Sequence, residues 1–287
     1  MPVAPGRNHD IDNPGVNPAP FGYSPSSGAN TVSSRVEQAL REVVAGSWLE
    51  TPARFIWKRV LGRKTQNDVY DQQTSAIMKK VLRRDSNCVD VGCHAGSILD
   101  EMLALAPDGT HYAFEPLPWL ASALRQKYGT RSNVRLHEMA LSNAPGRATF
   151  HANTDHPGFS GLERRDYPSE KDRVEIIEVR TDRLDALLDP SKKIDLIKID
   201  VEGAESLVLE GARECLRRDR PVVVFEHGVA SDRLYHAGTR VVFDLFAEAG
   251  LQVSRLEDYL SGAPPLSRDG LVAQIEQGLN CYFVAHP

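Results

Sequence analysis

Four short stretches place polar residues where apolar runs end, and their types could do chemistry. Asp90-Val91-Gly92-Cys93-His94-Ala95-Gly96 is the first. Gly92 and Gly96 let the backbone bend and come close to a ligand. A helix starting after Gly96 would aim free N–H groups at the same spot. A dinucleotide fold would favour G-x-G-x-x-G here, with no acid, because a pyrophosphate must lie there. Asp90 would repel a phosphate. It suits a positively charged ligand, such as an amino group or a sulfonium. The second stretch is Glu115-Pro116, about 25 residues on, where an acid accepts hydrogen bonds from ribose hydroxyls in nucleotide folds. The third is "KIDVEGAE", Lys198 to Glu205. Lys198, Asp200 and Glu202 point to one side if the chain stays extended. Charges at the end of a buried strand must be paired, solvated in a cleft or metal-bound. The fourth is Glu226-His227-Gly228, which offers a base, a metal ligand or a satisfied structural histidine.

The elements that carry these stretches alternate. "CVDV", "HYAFEP", "NVRLHEMAL", "IDLIKID" and "PVVVFEHG" read as strands. Helical patterns follow at 98–105, 117–128, 204–217 and 240–249. Such alternation implies a largely parallel sheet covered on both faces. In such sheets, ligands sit beyond the carboxyl ends of the strands, near the point where strand order reverses. Segments 147–151 and 174–180 alternate like an antiparallel insertion. The last strand, "LNCYFVAHP", follows a loop and is expected as an antiparallel edge. Before residue 85 the pattern is helical, with Val36, Leu40, Val43 and Val44 on one face and a third helix from Val69 to Leu82. Residues 1–30, rich in Pro, Gly, Asn and Ser, read as a mobile tail. The expected organisation is therefore a tail at 1–30, a helical extension or lid at 31–85 and one catalytic domain at 86–287.

Bulk properties narrow the partners. The chain of 287 residues has a formal net charge of -5, which argues against nucleic acid or an anionic membrane as the main partner. No apolar run reaches the ~20 residues that span a bilayer, and no secretory signal opens the chain. Cys88, Cys93, Cys215 and Cys281 form no C-x-x-C pair. They read as free thiols in a reducing cytoplasm.

"DVGCHAG", "FEP", "HPGFSGL", "VRTDRLDALL" and above all "IDLIKIDVEGAESLVLEGA" resemble the FkbM family of S-adenosylmethionine-dependent methyltransferases. The likeness runs in order from about Cys88 to His227. Ser160-Gly161 departs from a frequent Ser-Ser. The resemblance implies a class I methyltransferase (Rossmann-like) α/β fold, with a seven-stranded, mostly parallel sheet and helices on both faces. It implies that Asp90, Gly92, His94 and Gly96 surround the methionine part of S-adenosylmethionine. Glu115, with Pro116, would hold the ribose, and Ala140, Leu141 and Ser142 would border the adenine.

The sulfonium already activates the methyl group. What remains is to align a hydroxyl and remove its proton. His227, assisted by Glu226 or Asp200, is the expected base, with Lys198 and Glu202 beside it. The competing mechanism is Mg²⁺ on Asp200, Glu226 and His227, with Glu202 near. His151, His156, Phe159, Arg164, Arg165 and Tyr167 fall in the expected substrate loop, with His156, Phe159 and Tyr167 as acceptor contacts. A carboxylate-rich pocket fits a saccharide acceptor: a sugar, an oligosaccharide or a glycolipid. A non-sugar metabolite is the alternative. A nicotinamide dehydrogenase is the rival class, opposed by Asp90 and the absent G-x-G-x-x-G. A homodimer through the helical extension is a further expectation.

Overall fold

The computed structural model describes residues 65–164, 169, 171–229 and 238–287. Expectations for 1–64, and those for Arg165 and Tyr167, lie outside the described residues. The described chain belongs to a compact unit that runs from Lys64 to Pro287.

Its centre is a sheet ordered β3-β2-β1-β7-β8-β10-β9. The strands are β1 (Asn87–Val91), β2 (His111–Phe114), β3 (Val134–His137), β7 (Ile194–Ile199), β8 (Val222–Glu226), β9 (Gln252–Arg255) and β10 (Tyr282–His286). β1 pairs in parallel with β2 and β7, and β7 with β8. Strand order therefore reverses between β1 and β7. β10 runs antiparallel to both β8 and β9. The expected antiparallel partner is thus present but lies inside the sheet, and β9 forms the edge. β9 escapes a sequence reading because it has four residues, with Gln252 and Arg255 at its ends. Helix α9 (Arg268–Glu276) precedes β10 where a loop was expected.

The apolar strands are buried on both faces, and their side chains alternate between two layers. Val223 and Phe225 pack with Val242 and Phe246 of α7 (Thr239–Glu248). Val222, Val224 and Val284 meet Tyr70 and Ile77 of α1 (Gln66–Val81) and Leu256 of α8 (Leu256–Ser261). A capping box starts α1: Thr65 Oγ1 accepts from Asp68 N and the Asp68 carboxylate accepts from Thr65 N. Because Ile77 and Met78 are fully buried, α1 is part of the core, and the border drawn at residue 85 falls inside this unit. Helices α2 (Ser97–Leu105) and α3 (Pro118–Tyr128) follow β1 and β2. The helix expected over 204–217 is two, α5 (Glu205–Glu210) and α6 (Arg213–Asp219), interrupted at Gly211-Ala212.

The expected insertion is a small second sheet. β5 (Gly146–Asn153) and β6 (Val174–Asp182) pair antiparallel over their length. The stretch read as one strand, "NVRLHEMAL", is divided. Its first half is β3, and its end, β4 (Ala140–Leu141), leaves the main sheet to pair with β6. A short turn, α4 (Leu184–Leu187), leads into β7.

Candidate active site

A cavity of about 480 Å³ opens at the carboxyl ends of β1, β2 and β7, where doubly wound sheets bind ligands. The turn after β1 forms one wall. Gly92 has φ +75, and a Cβ there would lie 2.0 Å from the Asp200 carbonyl oxygen, so only glycine lets the β1 turn close on the end of β7. Gly96 has φ +80, and a Cβ would lie 2.6 Å from Tyr128 Oη, which donates to the Gly96 carbonyl. Gly92, Cys93 and His94 line the cavity. Gly96 instead shapes the turn that starts α2. Burial pushes the His94 imidazole below its usual range, which favours its neutral form.

Glu115 and Pro116 line the next wall. Glu115 is buried. Its Oε2 accepts from His94 N at 2.8 Å and its Oε1 from Leu117 N at 2.9 Å. Burial raises its carboxyl to about 7 against those two hydrogen bonds. Each oxygen keeps a lone pair, which suits a vicinal diol. Met139, Ala140 and Leu141 continue the wall with apolar surface. Ser142, expected beside them, is not among the lining residues, and its N–H donates to the Asp182 carbonyl.

The floor holds the charges. Asp90 is fully buried behind the cavity rather than at its surface. Among the described residues neither of its oxygens meets a donor at hydrogen-bonding distance. Lys198 Nζ lies 3.9 Å from Asp90 Oδ1, 3.4 Å from Asp200 Oδ2 and 3.2 Å from the Gly92 carbonyl. Burial raises Asp90 to about 6, partly offset by Lys198. Asp200 goes the other way. Burial raises it, but Lys198 and hydrogen bonds from Glu226 and Tyr282 outweigh that and bring it to about 2. The expectation that Asp90 itself faces a cationic ligand is therefore corrected: Lys198 pairs with it, and Asp200 is the acid on the cavity.

Lys198, Asp200 and Glu202 all line the cavity, although the strand ends at Ile199. Glu202 adopts φ +59, a strained conformation for a non-glycine residue. Oxygens of Asp200, Glu202 and Glu226 lie within 4.8 Å of one another, hard donors of the kind Mg²⁺ takes. His227 is absent from this group. It is 1% exposed, and its Nδ1 lies 3.7 Å from Oε2 of buried Glu205. Of the four residues expected around a metal, His227 lies apart from the other three, and the expected base is moved out of the cavity. The reason is strand geometry: adjacent residues on a strand point to opposite faces, so Glu226 and His227 do not share a cleft.

The lip is the short 3₁₀ turn Pro157–Phe159. Pro157, Gly158 and Ser160 line the cavity. Phe159 is 39% exposed, edge-on to His156 at 6.4 Å between ring centroids. His156 Nδ1 lies 3.1 Å from Asp172 Oδ2. Two contributions were not foreseen. Asp71 and Thr74 of α1 line the cavity, though the helix carries no motif. Tyr282 of β10 donates its hydroxyl to Asp200 Oδ2 at 2.7 Å and stacks on Tyr70. An aromatic beginning a strand beside the charged ends was the one signal for it.

Residues 90–250 match the methyltransferase FkbM domain. The chain belongs to the FkbM methyltransferase family. As an FkbM methyltransferase it is 34% identical over 184 residues to the 2-O-methyltransferase NoeI of Sinorhizobium fredii, covering 59% of this chain and 74% of that protein. It is 31% identical over 146 residues to Methyltransferase 1 of Beauveria bassiana, covering 44% and 58%. A solved structure, methyltransferase FkbM from Methylobacillus flagellatus KT, shares 13% identity with a TM-score of 0.43, covering 74% of this chain and 50% of that one. The site fits the donor of this S-adenosylmethionine-dependent family. Its cavity joins an apolar wall, a buried carboxylate with free lone pairs and an excess of acid on the floor, groups that could hold an adenine, a ribose and a cationic sulfur.

Proposed function

We propose that this FkbM methyltransferase transfers a methyl group from S-adenosylmethionine to a hydroxyl of a saccharide, free or within an oligosaccharide or glycolipid. Met139, Ala140 and Leu141 would hold the adenine, Glu115 the ribose, and Gly92 and His94 the methionine part. The sulfonium of the donor supplies an electrophilic methyl group. The chain's own residues hold the acceptor and receive its proton.

The observation that carries this reading is the convergence of Asp200, Glu202 and Glu226 beside the donor cavity. Carboxylate oxygens accept hydrogen bonds, so Asp200 and Glu202, with Glu226 joined to Asp200 by a hydrogen bond, suit an acceptor rich in hydroxyls. Lys198 and Tyr282 fix Asp200, and it is the group placed to accept from the attacking hydroxyl. A carboxyl held near 2 is a weak base, so Asp200 acts mainly by orienting the hydroxyl, and alignment carries the larger contribution. Phe159 at the lip offers an aromatic face to a sugar ring. The name of the NoeI relative, a 2-O-methyltransferase, supports transfer to oxygen. Four free thiols suit a reducing cytoplasm. Among the described residues no helix is long and apolar enough to cross a membrane.

The test is methyl transfer from labelled S-adenosylmethionine to a panel of methyl glycosides and oligosaccharides, with catechol as a non-sugar control. Methylation of at least one saccharide hydroxyl, with catechol inert, is the expected result. Turnover of catechol with every saccharide inert would overturn the acceptor assignment.

A further inference from the structure

Three charged groups form the cavity floor, and their sum is one negative charge. Asp90 and Asp200 flank Lys198, whose Nζ also donates to the Gly92 carbonyl at 3.2 Å. Asp90 is buried behind the wall, whereas Asp200 lines the cavity with a quarter of its side chain exposed. The excess charge is therefore displayed to a ligand by Asp200. Among the described residues that line the cavity, Lys198 is the only lysine or arginine, and it is committed to these partners. Glu101 and Glu202 add acid to the same cavity.

The carboxylate is also held still. Tyr282 donates to Oδ2 at 2.7 Å, and Tyr282 is itself stacked on Tyr70 with centroids 5.0 Å apart. A fixed charge on a partly enclosed surface cannot rearrange to follow a change in its ligand. Methyl transfer makes such a change, because the donor's sulfur goes from a cation to a neutral thioether.

We propose that Asp200, aimed by Lys198 and Tyr282, makes the cavity select a cationic sulfur over a neutral one, so that loss of the methyl group itself drives exchange of spent cofactor for fresh. This assigns Asp200 a second role, toward the donor, and rests on the reading of S-adenosylmethionine as that donor. Electrostatic attraction that vanishes with the reaction lowers product affinity without weakening the donor's.

Calorimetric titration of the full chain with three ligands tests it: S-adenosylmethionine, S-adenosylhomocysteine and sinefungin, which carries an ammonium on carbon where the donor carries its methylated sulfur. The wild type is expected to bind both cationic ligands about tenfold more tightly than the thioether, the effect of one unit charge across a partly solvated cavity. Asp200→Asn is expected to bring all three within about twofold, by weakening the two cations. S-adenosylhomocysteine binding as tightly as both cations in the wild type overturns the proposal with no variant needed. So does an equal weakening of all three by Asp200→Asn, the mark of a purely structural role. Binding of none of the three would instead remove the donor reading on which it rests.

Discussion

Glu115 shows what one buried carboxylate costs and what it supplies. It accepts from two backbone N–H groups, yet burial still raises its carboxyl to about 7. The native chain thus binds a proton at Glu115 that the unfolded chain has released. Between the unfolded carboxylate range and about 7, native protein binds more protons than unfolded, so this group lowers stability as pH rises. The span is on the order of 3 kcal/mol. Glu115→Gln removes the titration but keeps the shape, and it leaves one backbone N–H facing an amide nitrogen. The variant is expected to melt lower than wild type at pH 5 and to lose part of that deficit at pH 8. An equal deficit at both pH values would show that Glu115 does not hold its proton in the fold. Such pairing is only half legible in sequence. The strand-end acid is plain, but the partner N–H of His94 comes from the turn after a different strand. Asp90 makes the same point, since nothing local in "CVDVG" shows that Lys198, over a hundred residues away, turns the acid from a ligand contact into a floor charge.

Among the elements, the lip between β5 and β6 depends on one side chain. Asn153 is fully buried. Its Oδ1 accepts from Asp155 N at 3.1 Å and His156 N at 2.8 Å, and its Nδ2 donates to Asp172 at 2.9 Å. Its own N–H donates to Ser160 Oγ at 3.0 Å. The Asn153 side chain therefore pins the start of the turn that carries Phe159 and lines the cavity, while its backbone N–H holds the Ser160 end. Asn153→Ala leaves buried groups unpaired, at about 1–3 kcal/mol. The expected outcome is faster amide exchange at Asp155 and His156, whose N–H groups lose their acceptor, with the strands of the main sheet unchanged. Unaltered exchange across the turn would show that Asn153 does not hold it. The strands themselves read well from sequence, because "IDLIKI" and "VVVF" are apolar on both faces and need no alternation to betray them. What burial on both faces hides is direction. A two-sided strand does not reveal which face its last residue takes, so Glu226 and His227 looked like partners and are not. The short β9 and the cavity wall on α1 were illegible for a different cause, since neither carries a periodicity or a motif beyond that of an ordinary surface element.

For the whole molecule, the question is where the folding unit begins. The cavity is lined by residues from Asp71 to Tyr282, and the compact unit starts at Lys64. The sequence placed a border at 85, where the alternation of strands and helices starts. That border would strip α1 from the sheet, although Tyr70, Ile77 and Met78 are buried against β1, β7, β8 and β10. Each such side chain contributes about 1.5–3 kcal/mol by burial, so removing all three approaches the whole stability of a typical domain, about 5–15 kcal/mol. Their loss would also bare Val222, Val224 and Val284 on one face of the sheet. A chain of residues 64–287 is therefore expected to melt cooperatively and to bind S-adenosylhomocysteine within about twofold of the full chain. A chain of residues 86–287 is expected to lose both properties. Circular dichroism melts and calorimetry on the two fragments check this. Cooperative melting of the shorter fragment would mean that the sheet's second face is covered without α1, and that the unit is smaller than its core implies.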